Sequence, residues 1–142
     1  MRSALLCALA LLIASPAFAD ERAARQANPD VAESLDGILQ DVDGWADLAR
    51  TCGDEPCELM KAEADAIAKQ LGTLWPVIVK PDGKRAAVDS LYQGLLAHLD
   101  AFERWMPQTD IADLDEHCRR WTGTREKIDR FTSWSVRVTW TA

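Results

Sequence analysis

Three of the four cysteines and both histidines lie beyond residue 50. These five side chains are where metal, redox or nucleophilic chemistry could reside. Cys52 and Cys57 are spaced C-x4-C, not the C-x-x-C of thiol oxidoreductases, so the spacing speaks for a staple rather than a redox enzyme. Helical heights support that pairing. Cys57 falls about 4 Å and Cys118 about 13 Å from the same bundle end at 1.5 Å per residue. That offset exceeds the ~7 Å limit on Cα separation in a disulfide. A Cys52–Cys57 bridge is therefore expected, and Cys118 is left over.

His98 and Cys118 are ten residues either side of a reversal near Gln108, which sets them at one height, with His117 flanking. A His98, His117 and Cys118 set could begin a copper or zinc site. The plainer expectation is that a stripe histidine is a core residue and a lone cysteine a small hydrophobe. Haem finds little support. C-x-x-C-H is absent, and Met60 and His98 differ in height by roughly 7 Å. The ferritin-like Glu-x-x-His pair is missing, since Leu95 and Leu114 stand three positions before the histidines. Asp41-Val42-Asp43 begins like a calcium loop, but Trp45 and Cys52 occupy positions that need oxygen ligands. No G-x-S-x-G, H-E-x-x-H, P-loop or dinucleotide turn occurs, and no catalytic residues are expected.

The elements that must position these groups follow from periodicity. Asn28-Pro29-Asp30 is a helix start with Asn as cap and Pro at the first position. Leu35, Ile38, Val42, Trp45 and Ala49 then form one apolar face. After Cys52-Gly53-Asp54, a second stripe carries Cys57, Met60, Ala64, Ile67, Leu71 and Leu74, closed by Pro76. A third helix is expected from about Lys84 to Trp105, on Val88, Leu91, Leu95, His98, Phe102 and Trp105. Pro107 stops it. Thr109 or Asp110 should cap a fourth, on Ile111, Leu114, Cys118, Trp121, Arg125 and Ile128, weakened at Gly123, where a bend or an end is expected. Short connections make neighbours antiparallel. The expected architecture is mainly α: an up-down-up-down four-helix bundle. A small β-ribbon is expected from the helix 2–3 connection, Pro76–Lys80, and a C-terminal strand over Ser133–Thr141. In that strand Trp134, Val136, Val138 and Trp140 alternate with polar residues.

The first residues read as an address. Met1-Arg2 is a positive start, Ala4–Ala14 an apolar run of eleven, and Ala17-Phe18-Ala19 a small-x-small site. This is a secretory signal of bacterial proportions, with cleavage after Ala19. The run is too short to span a bilayer. Residues 1–19 are thus expected to be removed, 20–27 to be a flexible segment, and 28–142 to form one domain, periplasmic or secreted.

The chain has 142 residues and a formal charge of −7. Losing Arg2 leaves 15 bases against 23 acids, or −8. Such a body disfavours nucleic acid and anionic lipid as partners. The acids cluster early: eleven acids and two bases lie from Asp30 to Asp65, while six bases and two acids follow His117. Asp36, Asp43 and Asp47 share an outer face that could dock a basic partner. Six tryptophans are many for this length. Trp134 and Trp140, at the ribbon end, are candidate contacts. The function expected from these features is a small, non-enzymatic helical binding protein, monomeric or homodimeric. It would act on another envelope or secreted protein. The alternative is a metal- or haem-binding bundle on His98 and Cys118.

Overall fold

The computed structural model describes residues 22–23, 25–74, 77 and 84–135. Four long helices carry them: α1 (Pro29–Ala49), α2 (Glu55–Gly72), α3 (Lys84–Trp105) and α4 (Leu114–Ser135). A 3-10 turn, Met106–Gln108, follows α3. No strand occurs among the described residues.

The helix starts show how composition becomes structure. Pro29 occupies the first position of α1, where its missing N–H costs nothing, and the Asn28 carbonyl accepts from Ala32 N–H at 3.1 Å. Asp54 caps α2, its Oδ1 accepting from Cys57 N–H at 2.9 Å. Asp113 adopts a left-handed φ of 57° just before α4, and its carbonyl receives the His117 N–H at 3.1 Å. Aspartate tolerates that conformation because its short side chain bonds locally.

Cross-helix pairs set the register. Asp41 meets Lys127 and Trp45 meets Thr124, so α1 and α4 run antiparallel. Glu63 meets His98 while Gln70 lies against Gly94, so α2 and α3 do too. Tyr92–Asp129 and Asp100–Arg125 give the same result for α3 and α4. The molecule is a helical bundle. Contacts are most extensive between α1 and α2 and between α2 and α3, and sparser between α4 and its neighbours.

The core follows the apolar stripes closely on α1 and α2, where Leu35, Met60, Ile67 and Leu71 are fully buried. On α3 Val88, Leu95 and Phe102 are buried as expected, but two positions of the stripe move by one residue. Leu99 and Met106 are buried in the positions expected of His98 and Trp105, which are only half-buried. The reason is polar: turning His98 to the flank lets its Nδ1 meet Glu63 Oε2 at 2.5 Å.

Three further expectations are corrected. Thr109 and Asp110 do not cap α4. Thr109 instead closes the 3-10 turn, donating its hydroxyl to Met106 O at 2.7 Å, and α4 starts at Leu114. Gly123 neither bends nor ends α4, which runs unbroken to Ser135. The C-terminal strand cannot begin at Ser133, because residues 133–135 are helical. Trp134 packs on Phe131 one turn back and Ser135 donates to Thr132 O at 2.9 Å, contacts that only a helix provides. Residues 136–142 and 78–83, the remainder of the expected ribbon, lie outside the described residues. Ahead of α1, residues 25–27 are helical and Arg25 grips both Asp36 oxygens.

Cys52 and Cys57 form the expected disulfide pair, with Cα atoms 6.1 Å apart. It staples the α1–α2 turn.

Phe102 is fully buried and stacks on Trp121 with ring centroids 4.0 Å apart. Phe102→Ala is expected to destabilise the fold by about 3–5 kcal/mol, the usual cost of an aromatic cavity. Urea unfolding followed by circular dichroism measures it.

Candidate functional site

α4 meets α1 more extensively than it meets α3, and a groove runs along the outside of the α1–α4 seam. It consists of two adjoining hollows, of about 530 Å³ and 650 Å³. The first is lined by Ile38, Phe131 and Trp134 among others; the second by Trp45, Leu48, His117, Arg120 and Thr124. Asp41 and Lys127 line both, and their 2.9 Å ion pair crosses the seam between the hollows.

Three glycines lie along the groove. Gly37 lines the first hollow, and Gly44 and Gly123 the second. A Cβ placed on any of them meets no atom within 4 Å. Packing within this chain therefore does not require their small size. Glycine inside a helix costs about 1 kcal/mol relative to alanine, so three of them here spend stability on open space.

The walls have opposite charge. Glu33, Asp41 and Asp47 stand on the α1 side, and Arg120, Lys127 and Arg130 on the α4 side. Arg120 lies 5.7 Å over the Trp45 ring, a cation–π contact. Trp45 forms the floor. Its Nε1 donates to Thr124 Oγ1 at 3.0 Å, and its ring meets Phe102, Trp121 and His117 edge-on. His117 Nδ1 is buried without a hydrogen-bond partner among the described residues.

Polar contacts to α3 fix α4 from behind and so set the groove's width. Arg125 pairs with Asp100 at 2.8 Å and Glu103 at 2.6 Å, and Trp121 Nε1 donates to Glu103 at 3.0 Å. The Glu103 hydrogen bond pushes the guanidinium pKa up, against the opposing effect of burial. The Tyr92 hydroxyl donates to Asp129. Burial, and then that hydrogen bond and the charge of Asp129, push the Tyr92 pKa up to about 12.

The residues singled out by spacing are dispersed. Cys52 and Cys57 come together as expected. His98, His117 and Cys118 do not form a converging ligand set: His98 is bonded to Glu63 on α2, and His117 packs on Trp45. Cys118 is a free, half-buried thiol. Its pKa is raised by burial and then by Asp115. The three Asp residues of the outer face are unequal. Asp36 is held by Arg25, Asp47 pairs with Arg50 at 2.5 Å, and Asp43 is exposed. Trp134 is half-buried at the first hollow, and Trp140 lies outside the described residues.

Sequence reasoning missed the groove. Its one visible signal was Gly37 and Gly44, seven apart and so on one face of α1, in a helix with no structural need for either. The cations of α4 were read as one end of a charge asymmetry, and only the fold sets them across from the α1 acids. No family model, curated protein or solved structure matches the chain. Among the described residues no helix is long and apolar enough to cross a membrane.

Tyr92 is the only tyrosine, so its ionisation can be followed directly. Tyrosinate absorption is expected near pH 12 in the folded chain, against about 10 for an unperturbed phenol. A pKa raised on folding stabilises the protonated native state. That contribution is whole below pH 10 and is lost as pH rises through 12. Asp129→Asn is expected to move the transition down; an unchanged midpoint would dissociate it from Asp129.

Proposed function

We propose that this chain is a small, exported, non-enzymatic helical binding protein. It takes an amphipathic segment of another envelope or secreted protein in the α1–α4 groove. The observation that carries the reading is the groove with its three uncovered glycines and oppositely charged walls. Apolar side chains of the partner would meet Trp134, which is half-buried over the core residues Ile38 and Phe131, and its charges would align against the acidic α1 and basic α4 sides. Trp134 stands at the first hollow as an aromatic anchor of the kind that dominates interface energetics. The C-terminal strand is the finer part of the reading. Its part beyond Ser135, with Trp140, would add further contacts for the partner.

Export is supported by the charged start, the short apolar run and the small-x-small site ending at Ala19. The acidic body supports a protein partner over nucleic acid or membrane. A monomer or homodimer after cleavage fits a chain of this size. The outer acids are a weaker docking face than the sequence suggested, because Arg25 and Arg50 already engage Asp36 and Asp47.

Filling the groove tests this without breaking the fold. Gly44→Arg and Gly123→Gln enter open space and improve helix propensity, so both variants are expected to be at least as stable as the parent. They are expected to lose at least tenfold in partner capture from native envelope extract, measured by cross-linking and mass spectrometry. Asp43→Asn, on the outer face, should capture normally. Equal capture by the groove-filled variants would overturn the assignment.

A further inference from the structure

A second site lies outside the groove, at the junction of α1 and α2. The ligand atoms of Cys52, Asp54 and Cys57 all lie within 4.8 Å of one another, and no other group of three or more among the described residues converges this way. None of the three lines the groove. We propose that this cluster is a thiolate metal site for a thiophilic d10 cation such as Zn²⁺, closed while the disulfide is intact and opened by its reduction.

The chemistry of the donors sets the metal class. Two sulfurs and one carboxylate oxygen suit zinc, not the hard cations that take oxygen alone. Zn–S bonds of about 2.3 Å place two sulfurs roughly 3.8 Å apart around a tetrahedral ion. A Cα separation of 6.1 Å allows that spacing with side-chain rotation alone. Asp54 is already oriented: one oxygen accepts from Cys57 N–H at 2.9 Å, and the other from Asp110 N–H at 3.3 Å. Second-shell bonds of this kind hold a ligating carboxylate in place. The start of α2, where the cluster sits, also favours the negative charge that two thiolates and a carboxylate leave around a dication. Water would complete the fourth position.

The disulfide governs access. Its sulfurs are neutral and poor ligands. Cys57 is fully buried whereas Cys52 is half-buried, so an incoming thiolate reaches Cys52. A dithiol attacks there, the S–S bond breaks, and Cys57 leaves as a thiolate that takes up a proton. The second thiol of the reductant then resolves the mixed disulfide. The chain gains two electrons and two protons, and the reductant becomes a cyclic disulfide. Zinc binding forms two Zn–S bonds and releases those two protons to solvent.

The test is a zinc titration of the full chain, oxidised and reduced, against a chromophoric chelator. A phosphine serves as reductant, because it does not compete for the metal. The expected result is one zinc per reduced chain, two protons released, and binding at least a hundredfold weaker with the disulfide intact. Cys52→Ser should lose at least a hundredfold in the reduced state. Asp54→Asn keeps the helix cap and should lose about tenfold, while Cys118→Ser should bind as the parent does. Equal affinity in the oxidised and reduced chains, undiminished binding by Cys52→Ser or Asp54→Asn, or one zinc shared between two chains would each overturn the proposal. Circular dichroism of the same samples covers loss of fold. Should reduction unfold the chain, zinc is expected to restore the helices, and failure to do so counts against the site.

Discussion

The structure depends on one buried aromatic junction. Trp45 of α1 inserts its indole against Phe102 of α3 and against Trp121 and Thr124 of α4. Three helices therefore share a single packing unit, and its polar edges are answered: Trp45 Nε1 by Thr124 and Trp121 Nε1 by Glu103. Burying an indole with its N–H unpaired would cost about 1–3 kcal/mol, so these two bonds specify the registers of α1 and α3 against α4. The junction ties α4 to both α1 and α3. The groove is the complement of that arrangement. α4 is held at the aromatic junction and from behind by the Arg125 ion pairs, and the rest of its seam with α1 remains open.

Much of this was legible in the amino-acid pattern. The α1 and α2 stripes were read correctly because both helices bury one continuous apolar face against two neighbours, so periodicity and burial coincide. The C-x4-C pairing followed from helical rise alone. The α3 stripe holds at Val88, Leu95 and Phe102 and departs at His98, a polar residue that a charged partner on α2 draws to the flank. The start of α4 was misplaced because Thr109 and Asp110 are good caps on composition. The helix waits for the left-handed turn at Asp113, which no local propensity announces. The terminal strand shows the ambiguity of short alternation. Ser133-Trp134-Ser135 reads equally as polar-apolar-polar strand or as the last turn of a helix. Phe131 and Thr132, one turn earlier, decide for the helix.

The candidate site was legible only in fragments. A sequence shows that acids crowd the first half and bases the last, but not that α1 and α4 face one another. The antiparallel closure of the bundle turns a charge asymmetry along the chain into opposed walls across a groove. The same closure breaks up the imagined histidine–cysteine centre: equal height along the bundle does not bring side chains together when one of them, His98, turns to a third helix. Asp54 caps α2, and it is also the oxygen beside two sulfurs.

The central claim is that the Trp45 junction couples α1 to α4. It is tested most directly by a double-mutant cycle for Trp45→Leu and Trp121→Leu, read as unfolding free energies in urea. The rings meet edge-on at 5.6 Å, and the account predicts a coupling of about 1 kcal/mol or more. Additivity within about 0.3 kcal/mol would contradict it, because α4 would then be held independently of α1.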